Sequence, residues 1–277
     1  MIVVIGGHSR LAQAVVEEYT HENVLLLYRK IYQDWSLNNA SDKVACYFQG
    51  KKAEDSTIVV ASGLLDPRLS PDELLKINFH LPRNIIEGST KLGFKVVTFG
   101  TVMEGLLNSK NPYIRSKVML GDYVAGIASR ECRSIHLRLH TLFGRGEPDP
   151  FMFLGQMLDA MRNNLPFEMT LGKQLREYHH VQDDTKAIQR IVNSGFYGVL
   201  DISHGHPVSL GEVATYVFQS FGKESLLRVG ELPEPCEENF DQIFNRPGIL
   251  QGVQFRASLP AIVEYMRSLI CTGIGKS

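Results

Sequence analysis

Several features that mark special classes of protein are absent from this sequence. Its 277 residues contain only four cysteines and no C-x-x-C pair, which argues against a disulfide framework or a cysteine-rich zinc site. No apolar run approaches membrane-spanning length, and no basic leader precedes the first apolar residues. The formal net charge of −1 gives no basic field that would favour nucleic acid or an anionic membrane. We therefore expect a cytoplasmic protein with reduced thiols and neither of those partners.

What the sequence does contain is an alternation of short apolar runs and helical patterns. Ile2–Ile5 is an apolar run that ends in Gly6-Gly7, and apolar residues at helical spacing follow it. This alternation predicts an α/β fold with a doubly wound parallel sheet of the Rossmann type. Further strands are predicted at Val24–Tyr28, Val44–Phe48, Thr57–Ala61, Phe94–Phe99 and Ser134–Leu139, and helices at Pro71–Leu92 and from Pro112 to about Ser129.

The regular alternation of predicted strands and helices ends after Leu139, which indicates a second region. We expect residues 1–140 to form the NAD(P)-binding domain and residues 141–277 a smaller α/β substrate-binding region, with some segments returning to the first sheet. Helices are predicted here at Phe151–Asn163, Asp183–Asn193, Ser209–Phe221 and Leu259–Ile270, strands at Leu165–Leu171 and Val199–Ile202, and a loop at Gly172–Glu177.

The turn after the first strand has the composition of a phosphate-binding loop. A pyrophosphate at a helix N-terminus needs backbone N–H groups that side chains do not obstruct. Gly6 stands at the first glycine of G-x-x-G-x-x-G, while Ser9 and Ala12 replace the other two. The Ser9 hydroxyl can itself bond a phosphate, although an ordinary strand–turn–helix would have the same residues. The candidate cofactor-binding residues of this turn are Gly6, His8, Ser9, Arg10 and Leu11.

Two cations follow the second predicted strand. An NAD site places a carboxylate there for the ribose 2′-OH, whereas an NADP site offers cations to the 2′-phosphate. Arg29 and Lys30 occupy this position with no adjoining carboxylate, and Arg10 can assist them. The pair favours NADP(H), with NAD(H) as the alternative if the cations are merely solvated.

Tyr113 and Lys117 are the strongest candidates for catalysis. Pro112 suits the first turn of a helix, so the tyrosine and lysine, four residues apart, share one helical face. An ammonium beside a phenol lowers the phenol's pKa from ~10, which makes it a proton donor and acceptor near neutral pH. The spacing alone is weak evidence, since Tyr47 and Lys51 share it. We expect that second pair, which flanks Gly50, at a strand-to-loop junction, where the two side chains do not share a helical face.

The adjacent histidines His179 and His180 suggest a metal, but neighbours on a strand point to opposite faces. No metal site is predicted from them.

Several segments, taken in order, resemble the extended branch of the short-chain dehydrogenases/reductases. More narrowly, the chain resembles the nucleotide-sugar epimerase/dehydratase/reductase family over essentially its whole length. The matching segments are the glycine turn, Ala61-Ser62-Gly63, Asn78, Thr98–Thr101, Pro112-Tyr113-x-x-Ser116-Lys117, His136–Leu139 with Leu142–Gly146, and Arg176–Asp184.

The resemblance implies a role for each matching position. Tyr113 would be the catalytic acid/base, and Lys117 would bind the nicotinamide ribose. A hydroxyl on the preceding strand would polarise the substrate carbonyl, with Thr101 preferred at the strand's end and Thr98 as the alternative. The remaining candidates are Ala61, Ser62, Gly63 and Asn78 for the cofactor, and Arg176, Arg145, Thr141 and Lys173 for the diphosphate of the substrate.

The activity implied by the resemblance is NADP-dependent reduction of a keto group on a nucleoside-diphosphate sugar, expected at C4 of a 4-keto-6-deoxy sugar. Only eleven residues separate Thr101 from Tyr113, and they add no Cys/His or Glu pair for 3,5-epimerisation or dehydration. The alternatives are a C4-epimerase that retains NAD(H) and a non-catalytic dinucleotide-sensing module. The family likeness also implies a homodimer through the helices at Pro71–Leu92 and Tyr113.

Overall fold

Strands and helices alternate along the computed structural model, which describes residues 1–19, 24–105 and 109–273. The strands in chain order are β1 (Ile2–Ile5), β2 (Val24–Leu27), β3 (Thr57–Val60), β4 (Lys95–Thr101), β5 (Ser134–Leu139), β6 (Thr141–Phe143), β7 (Phe167–Met169), β8 (Leu175–Arg176), β9 (Tyr178–His180), β10 (Gly198–Asp201), β11 (Val208–Ser209) and β12 (Leu227–Val229). The α-helices are α1 (Arg10–Glu18), α2 (Arg29–Tyr32), α3 (Ser41–Phe48), α4 (Pro71–Leu75), α5 (Leu81–Ser89), α6 (Pro112–Ile127), α7 (Phe153–Asn163), α8 (Val181–Asn193), α9 (Leu210–Ser220) and α10 (Ser258–Gly273). Within the described residues, no helix is long and apolar enough to cross a membrane.

A six-stranded sheet with the order β10-β5-β4-β3-β1-β2 forms the centre of the fold. All of its neighbouring strands run parallel. β1 and β3 are buried along their whole length, which is why their sequences are continuous apolar runs rather than alternating ones. The predicted doubly wound α/β fold is confirmed. The strand order reverses between β1 and β3, and ligands bind at the carboxyl ends of strands at such a point.

Residues 44–48 belong to helix α3 rather than to the predicted strand. Val44 and Phe48 lie one helical turn apart and are fully buried, so the apolar run is one face of a helix. The chain turns at Gly50, whose φ is +76°. Lys51 therefore lies outside the helix and shares no helical face with Tyr47, although the junction is helix-to-loop rather than strand-to-loop. The Lys51 Nζ still lies 4.5 Å from the centre of the Tyr47 ring.

The helix predicted from Pro71 is present as α4, a π-helical turn and α5. A capping box starts it, because the Ser70 hydroxyl accepts the Glu73 N–H at 3.3 Å and the Glu73 carboxylate accepts the Ser70 N–H at 3.0 Å. The π-helical turn, Lys76–His80, buries the side chain of Asn78 completely.

The chain divides into two units. The first comprises residues 1–139, 185–202 and 247–250 and contains the six-stranded sheet; the second comprises residues 140–184, 203–246 and the chain from Gln251 onward. β10 follows residue 141 in the sequence and still joins the first sheet.

Up to residue 273, where the described chain ends, the second unit contains small two-stranded sheets and the helices α7, α9 and α10. β6 pairs with β9, β7 with β12, and β8 with β11. The apolar faces of α7, α9 and α10 meet in one core, with Met157, Val217 and Ile262 fully buried. The loop predicted at 172–177 is wrong at its end, because Leu175 and Arg176 form β8 through antiparallel pairing with Val208 and Ser209.

Candidate active site

The turn between β1 and α1 closes tightly against the loop after β3. Gly6 has a φ of +88°, and a Cβ there would clash with the backbone nitrogen of Ser62, so only glycine fits. The Ser9 hydroxyl, predicted to bond a phosphate, accepts the Ala12 N–H at 3.1 Å and caps α1. These contacts hold the N-terminus of α1 at the switch point of the sheet, where an anion is stabilised by the helix dipole.

The other residues of the turn differ in exposure. His8 is exposed at the turn, and Arg10 is half-buried as the first residue of α1. The Leu11 side chain is buried, which leaves its backbone as the part available to a cofactor.

The loop after β3 connects this turn to Lys117. The Ala61 N–H donates to the Ile5 carbonyl at 2.8 Å. The Ser62 hydroxyl is buried and has no hydrogen-bond partner among the described residues. A Cβ on Gly63 would lie 3.5 Å from the Lys117 Nζ. A nicotinamide dinucleotide fits this surface, because bare glycine backbone lets it approach closely and the buried hydroxyl gains a partner.

Asn78 holds the same loop in place. Its Oδ1 accepts the Leu64 N–H at 2.9 Å, and its Nδ2 donates to the Leu64 carbonyl at 3.0 Å and to the Ser116 hydroxyl at 3.1 Å. The amide therefore joins the loop to α6. We expect Asn78 to position the cofactor loop rather than to touch the cofactor itself.

Tyr113 and Lys117 lie together at the start of α6. Pro112 is the first helical residue, and the Oδ1 of Asn111 caps the helix by accepting the Tyr113 N–H at 2.9 Å. Lys117 is buried, and its Nζ donates to the Phe99 carbonyl of β4 at 2.8 Å. That Nζ lies 6.0 Å from the centre of the Tyr113 ring. The strand therefore fixes the ammonium beside the phenol.

Burial has the largest effect on the pKa values of Tyr113 and Lys117. It raises the pKa of the Tyr113 phenol, and the Glu104 carboxylate adds to the rise. It lowers the pKa of the Lys117 ammonium to about 8, while Glu104 acts in the opposite direction. The expectation that the pKa of Tyr113 falls below its usual value is therefore wrong, because desolvation outweighs the effect of an ammonium that donates to a backbone carbonyl. Tyr113 is a neutral phenol at neutral pH.

Glu104 is a buried carboxylate that the sequence analysis did not single out. Its Oε1 accepts the Thr101 N–H at 2.7 Å, and both carboxylate oxygens lie 3.3 Å from the Nε2 of His136. The sequence feature that points to this buried pair is Gly100, because a Cβ at that position would clash with the Glu104 carboxylate and with the His136 imidazole. Glu104 thus links the end of β4 to β5 close to both candidate catalytic groups.

The two candidate hydroxyls of β4 have different surroundings. Thr98 is 1% exposed, and its Oγ1 donates to the Ile135 carbonyl at 3.2 Å and lies 2.9 Å from the Nδ1 of His136. Thr101 is half-buried at the carboxyl end of β4, and its Oγ1 accepts the Met103 N–H at 3.3 Å, which leaves the O–H proton to donate. Thr101 is the better placed of the two.

Arg29 and Lys30 are exposed at the start of α2, directly after β2. β2 pairs with β1 so that Leu27 lies opposite Ile5. The two cations therefore leave the sheet at the same end as Gly6.

Arg176 in the second unit is already engaged by a carboxylate. Its guanidinium forms an ion pair with Glu238 and donates to the Leu175 carbonyl at 2.8 Å. The resemblance had implied an arginine directed at the substrate's diphosphate. In this structure two nitrogens of the guanidinium are therefore already engaged within the protein.

The other candidates for binding the substrate lie in β6 or in the loops next to β6 and β8. Thr141 begins β6, and its N–H donates to the Glu177 carbonyl at 3.2 Å, next to the candidate arginine in sequence. Arg145 is half-buried in the loop after β6, and Lys173 is exposed in the loop before β8.

Comparison with known proteins places the chain in a family. Residues 2–199 match the sequence profile of the NAD dependent epimerase/dehydratase family. No curated protein matches the sequence.

Several solved structures share the fold at low sequence identity. UDP-N-acetylglucosamine 4-epimerase from Methanobrevibacter ruminantium M1, in complex with UDP-N-acetylmuramic acid, has a TM-score of 0.76 and 14% identity over 100% of this chain and 98% of that chain. A dTDP-4-dehydrorhamnose reductase from Clostridium acetobutylicum has a TM-score of 0.72 and 17% identity over 97% and 99% of the two chains. RMD from Pseudomonas aeruginosa, complexed with NADPH, has a TM-score of 0.74 and 16% identity over 97% and 99%. Because the profile match covers more than half of the chain and the sheet is of the matching type, the protein belongs to the NAD dependent epimerase/dehydratase family.

Proposed function

We propose that the protein is an NADP-dependent reductase of a keto group on a nucleoside-diphosphate sugar, with C4 of a 4-keto-6-deoxy sugar as the expected position. The observation that carries the proposal is the neutral, partly buried Tyr113 phenol beside the buried Lys117 ammonium. A phenol that keeps its proton at neutral pH is suited to donate it, which is the requirement of keto reduction.

The first unit supplies the residues that would hold the cofactor. When bound, a nicotinamide dinucleotide supplies the hydride. The Gly6–Ser9 turn and the N-terminus of α1 would bind its pyrophosphate, and the Ser62 hydroxyl would donate a hydrogen bond to it. Arg29 and Lys30 would pair with a ribose 2′-phosphate, which supports NADP(H) over NAD(H). One structural relative of the same fold is a complex with NADPH.

The proton transfer follows from the positions of three side chains. The Tyr113 hydroxyl donates its proton to the keto oxygen as the carbon is reduced, and the Thr101 O–H stabilises the negative charge that develops on that oxygen. The Lys117 ammonium then stabilises the phenolate that remains. Glu104 fixes the end of β4 through the Thr101 backbone.

The second unit would bind the nucleotide sugar. Arg176 is the candidate for the diphosphate, because a guanidinium binds phosphate oxygens in a bidentate manner. Its ion pair with Glu238 would then open when the substrate binds. Arg145, Lys173 and Thr141 are the further candidates for this surface.

The homodimer is part of the same proposal. α4, α5 and α6 belong to one helical layer, and Met119 of α6 is 43% exposed. A second copy that pairs through this layer would cover that side chain. A monomeric mass by light scattering would remove the dimer from the proposal.

The proposed activity is tested by incubating the purified protein with NADPH and a panel of nucleoside-diphosphate sugars. Loss of NADPH with the 4-keto-6-deoxy members, and not with the corresponding alcohols, is the expected result. Tightly bound NAD with C4 interconversion and no net reduction would establish the epimerase instead. Cofactor binding without turnover of any sugar would indicate the sensing module.

A further inference from the structure

A buried group of imidazoles and carboxylates lies within the second unit, outside the candidate active site. β6 and β9 pair in parallel, with Thr141 opposite Tyr178. His140 and Glu177 directly precede this residue pair, and His179 follows it within β9. The strand pairing thus brings His140 next to Glu177 and His179, two further side chains of metal-ligating type that are close together in sequence.

The distances between these side chains suit one metal ion. Glu177 Oε2 lies 3.0 Å from His179 Nε2 and 3.8 Å from His140 Nε2, and the candidate ligand atoms all lie within 4.8 Å of one another. A tetrahedral Zn²⁺ with bonds of about 2.0–2.1 Å separates its ligand atoms by about 3.3–3.4 Å. Small side-chain movements therefore convert the observed group into a coordination site.

The His140 imidazole supplies an independent indication of a ligand. Its side chain is only 4% exposed, yet its Nε2 has no hydrogen-bond partner among the described residues. A ring nitrogen of this kind binds a metal when it carries no proton. A metal at this position would satisfy a buried nitrogen that the protein itself leaves unpaired.

The surrounding residues orient the other two ligands. His179 Nδ1 donates to Asp184 Oδ1 at 2.7 Å, which directs the opposite ring nitrogen at Glu177. Glu177 Oε1 accepts the Ser203 hydroxyl at 2.6 Å and the Gly205 N–H at 3.2 Å. A carboxylate behind a ligating histidine is the usual outer layer of a zinc site.

The Oε2 of Glu177 is also an acceptor for the protein. It accepts the His204 N–H at 2.8 Å and the proton on His179 Nε2. A metal ion would take the place of that proton and leave the His204 contact intact.

We propose that His140, Glu177 and His179 form a site for a divalent transition-metal ion, with Zn²⁺ the best match to the two-imidazole, one-carboxylate donor set. Three protein ligands leave a fourth position for water or a substrate oxygen. The adjacent His180 takes no part, since its Nδ1 accepts the Gln182 N–H at 3.3 Å. His140 lies 39 residues before His179 in the sequence and reaches it through the pairing of β6 with β9, so the neighbouring pair His179-His180 does not reveal the site.

The test uses the full chain, stripped with a chelator and titrated with ZnCl₂ in an isothermal calorimeter. We expect one Zn²⁺ per chain for the wild type and an affinity at least ~100-fold lower for His140→Phe, which retains a ring next to Phe244. The matched control His80→Phe removes a histidine of the first unit and should bind as the wild type does. Equal Zn²⁺ affinities for the wild type and His140→Phe would overturn the proposal.

X-ray absorption of the zinc-loaded wild type tests the site without any variant. The expected spectrum shows two imidazoles, oxygen and no sulfur. A sulfur shell would assign the metal to the exposed cysteines, Cys46, Cys236 and Cys271, and would overturn the proposal. Neither measurement depends on the reductase activity.

Discussion

The carboxylate of Glu104 accepts a hydrogen bond from the backbone nitrogen of Thr101 at 2.7 Å. The same carboxylate raises the pKa of both Tyr113 and Lys117. One buried charge therefore fixes the end of β4 and biases both candidate catalytic groups toward their protonated forms.

Glu104→Gln should move the alkaline limb of the pH–rate profile to lower pH. The amide oxygen can still accept the Thr101 N–H, so the end of β4 is retained while the charge is lost. Without the charge the pKa values of Tyr113 and Lys117 both fall, and each loses its proton at a lower pH. The measurement is kcat against pH, with Glu87→Gln in α5 as the control. Superimposable profiles for Glu104→Gln and the wild type would contradict this role.

Lys117→Met should change how stability depends on pH. The folded-state pKa of Lys117 is about 8, below the unfolded value of ~10.4. The folded protein therefore binds this proton less tightly than the unfolded chain does. As the pH rises from about 8 to ~10.4, the free energy of unfolding of the wild type should increase relative to that of the variant. The relative gain should reach ~3 kcal/mol in the free energy of unfolding. It is measured by denaturant titration at several pH values.

The control for this experiment is Lys51→Met. It removes an exposed lysine that also stands four residues after a tyrosine, Tyr47. Its difference from the wild type should stay constant with pH. A constant difference for Lys117→Met as well would show that burial of this ammonium has no energetic effect.

Gly6→Ala should weaken cofactor binding. A Cβ there meets the Ser62 backbone in a left-handed conformation, so the turn must move away from the loop after β3. We expect the Kd for NADPH, measured by fluorescence titration, to rise by at least ~10-fold, the equivalent of about 1.4 kcal/mol. Gly50→Ala is the matched control, because its φ is +76° with nothing within 4 Å of an added Cβ. If both substitutions raise the Kd for NADPH equally, the effect of Gly6→Ala comes from backbone strain alone, and the contact with Ser62 has no part in cofactor binding.

The double variant Arg29→Ala/Lys30→Ala should lose its preference for NADPH. Charge-assisted hydrogen bonds are worth about 1.5–3 kcal/mol each. Solvent screens these two exposed cations, so we expect the pair together to contribute less than that sum and the KM for NADPH to rise ~10–100-fold. The KM for NADH, which has no such phosphate, should stay the same. Lys43→Ala removes an exposed cation of α3 and serves as the control. Parallel changes in both KM values would remove this pair from cofactor selection.

Several strands of the first unit could be predicted because they are short apolar runs between turns. Ile2–Ile5 and Val24–Leu27 are examples. The run at Val44–Phe48 looks the same, but its two fully buried members are four residues apart and form a helix face. A run of five apolar residues does not distinguish these cases, and tertiary burial decides between them.

The site was predictable only where its residues are close in sequence. The spacing of Tyr113 and Lys117 defines their shared helical position, whereas their pKa values depend on desolvation and on Glu104. The contact of Glu104 with His136 comes from the pairing of β4 with β5, which sets Thr98 opposite that histidine. Such contacts join distant segments and leave no local pattern.

The most direct test of the proposed mechanism compares Tyr113→Phe with Tyr47→Phe in the NADPH oxidation assay with a 4-keto-6-deoxy nucleotide sugar. Both variants remove one hydroxyl from a tyrosine followed four residues later by lysine. Tyr113→Phe should lower kcat by ~10²–10⁴-fold with an unchanged Kd for NADPH, because only proton donation is lost. Tyr47→Phe should retain the wild-type kcat. Turnover of Tyr113→Phe at the wild-type rate would contradict the account.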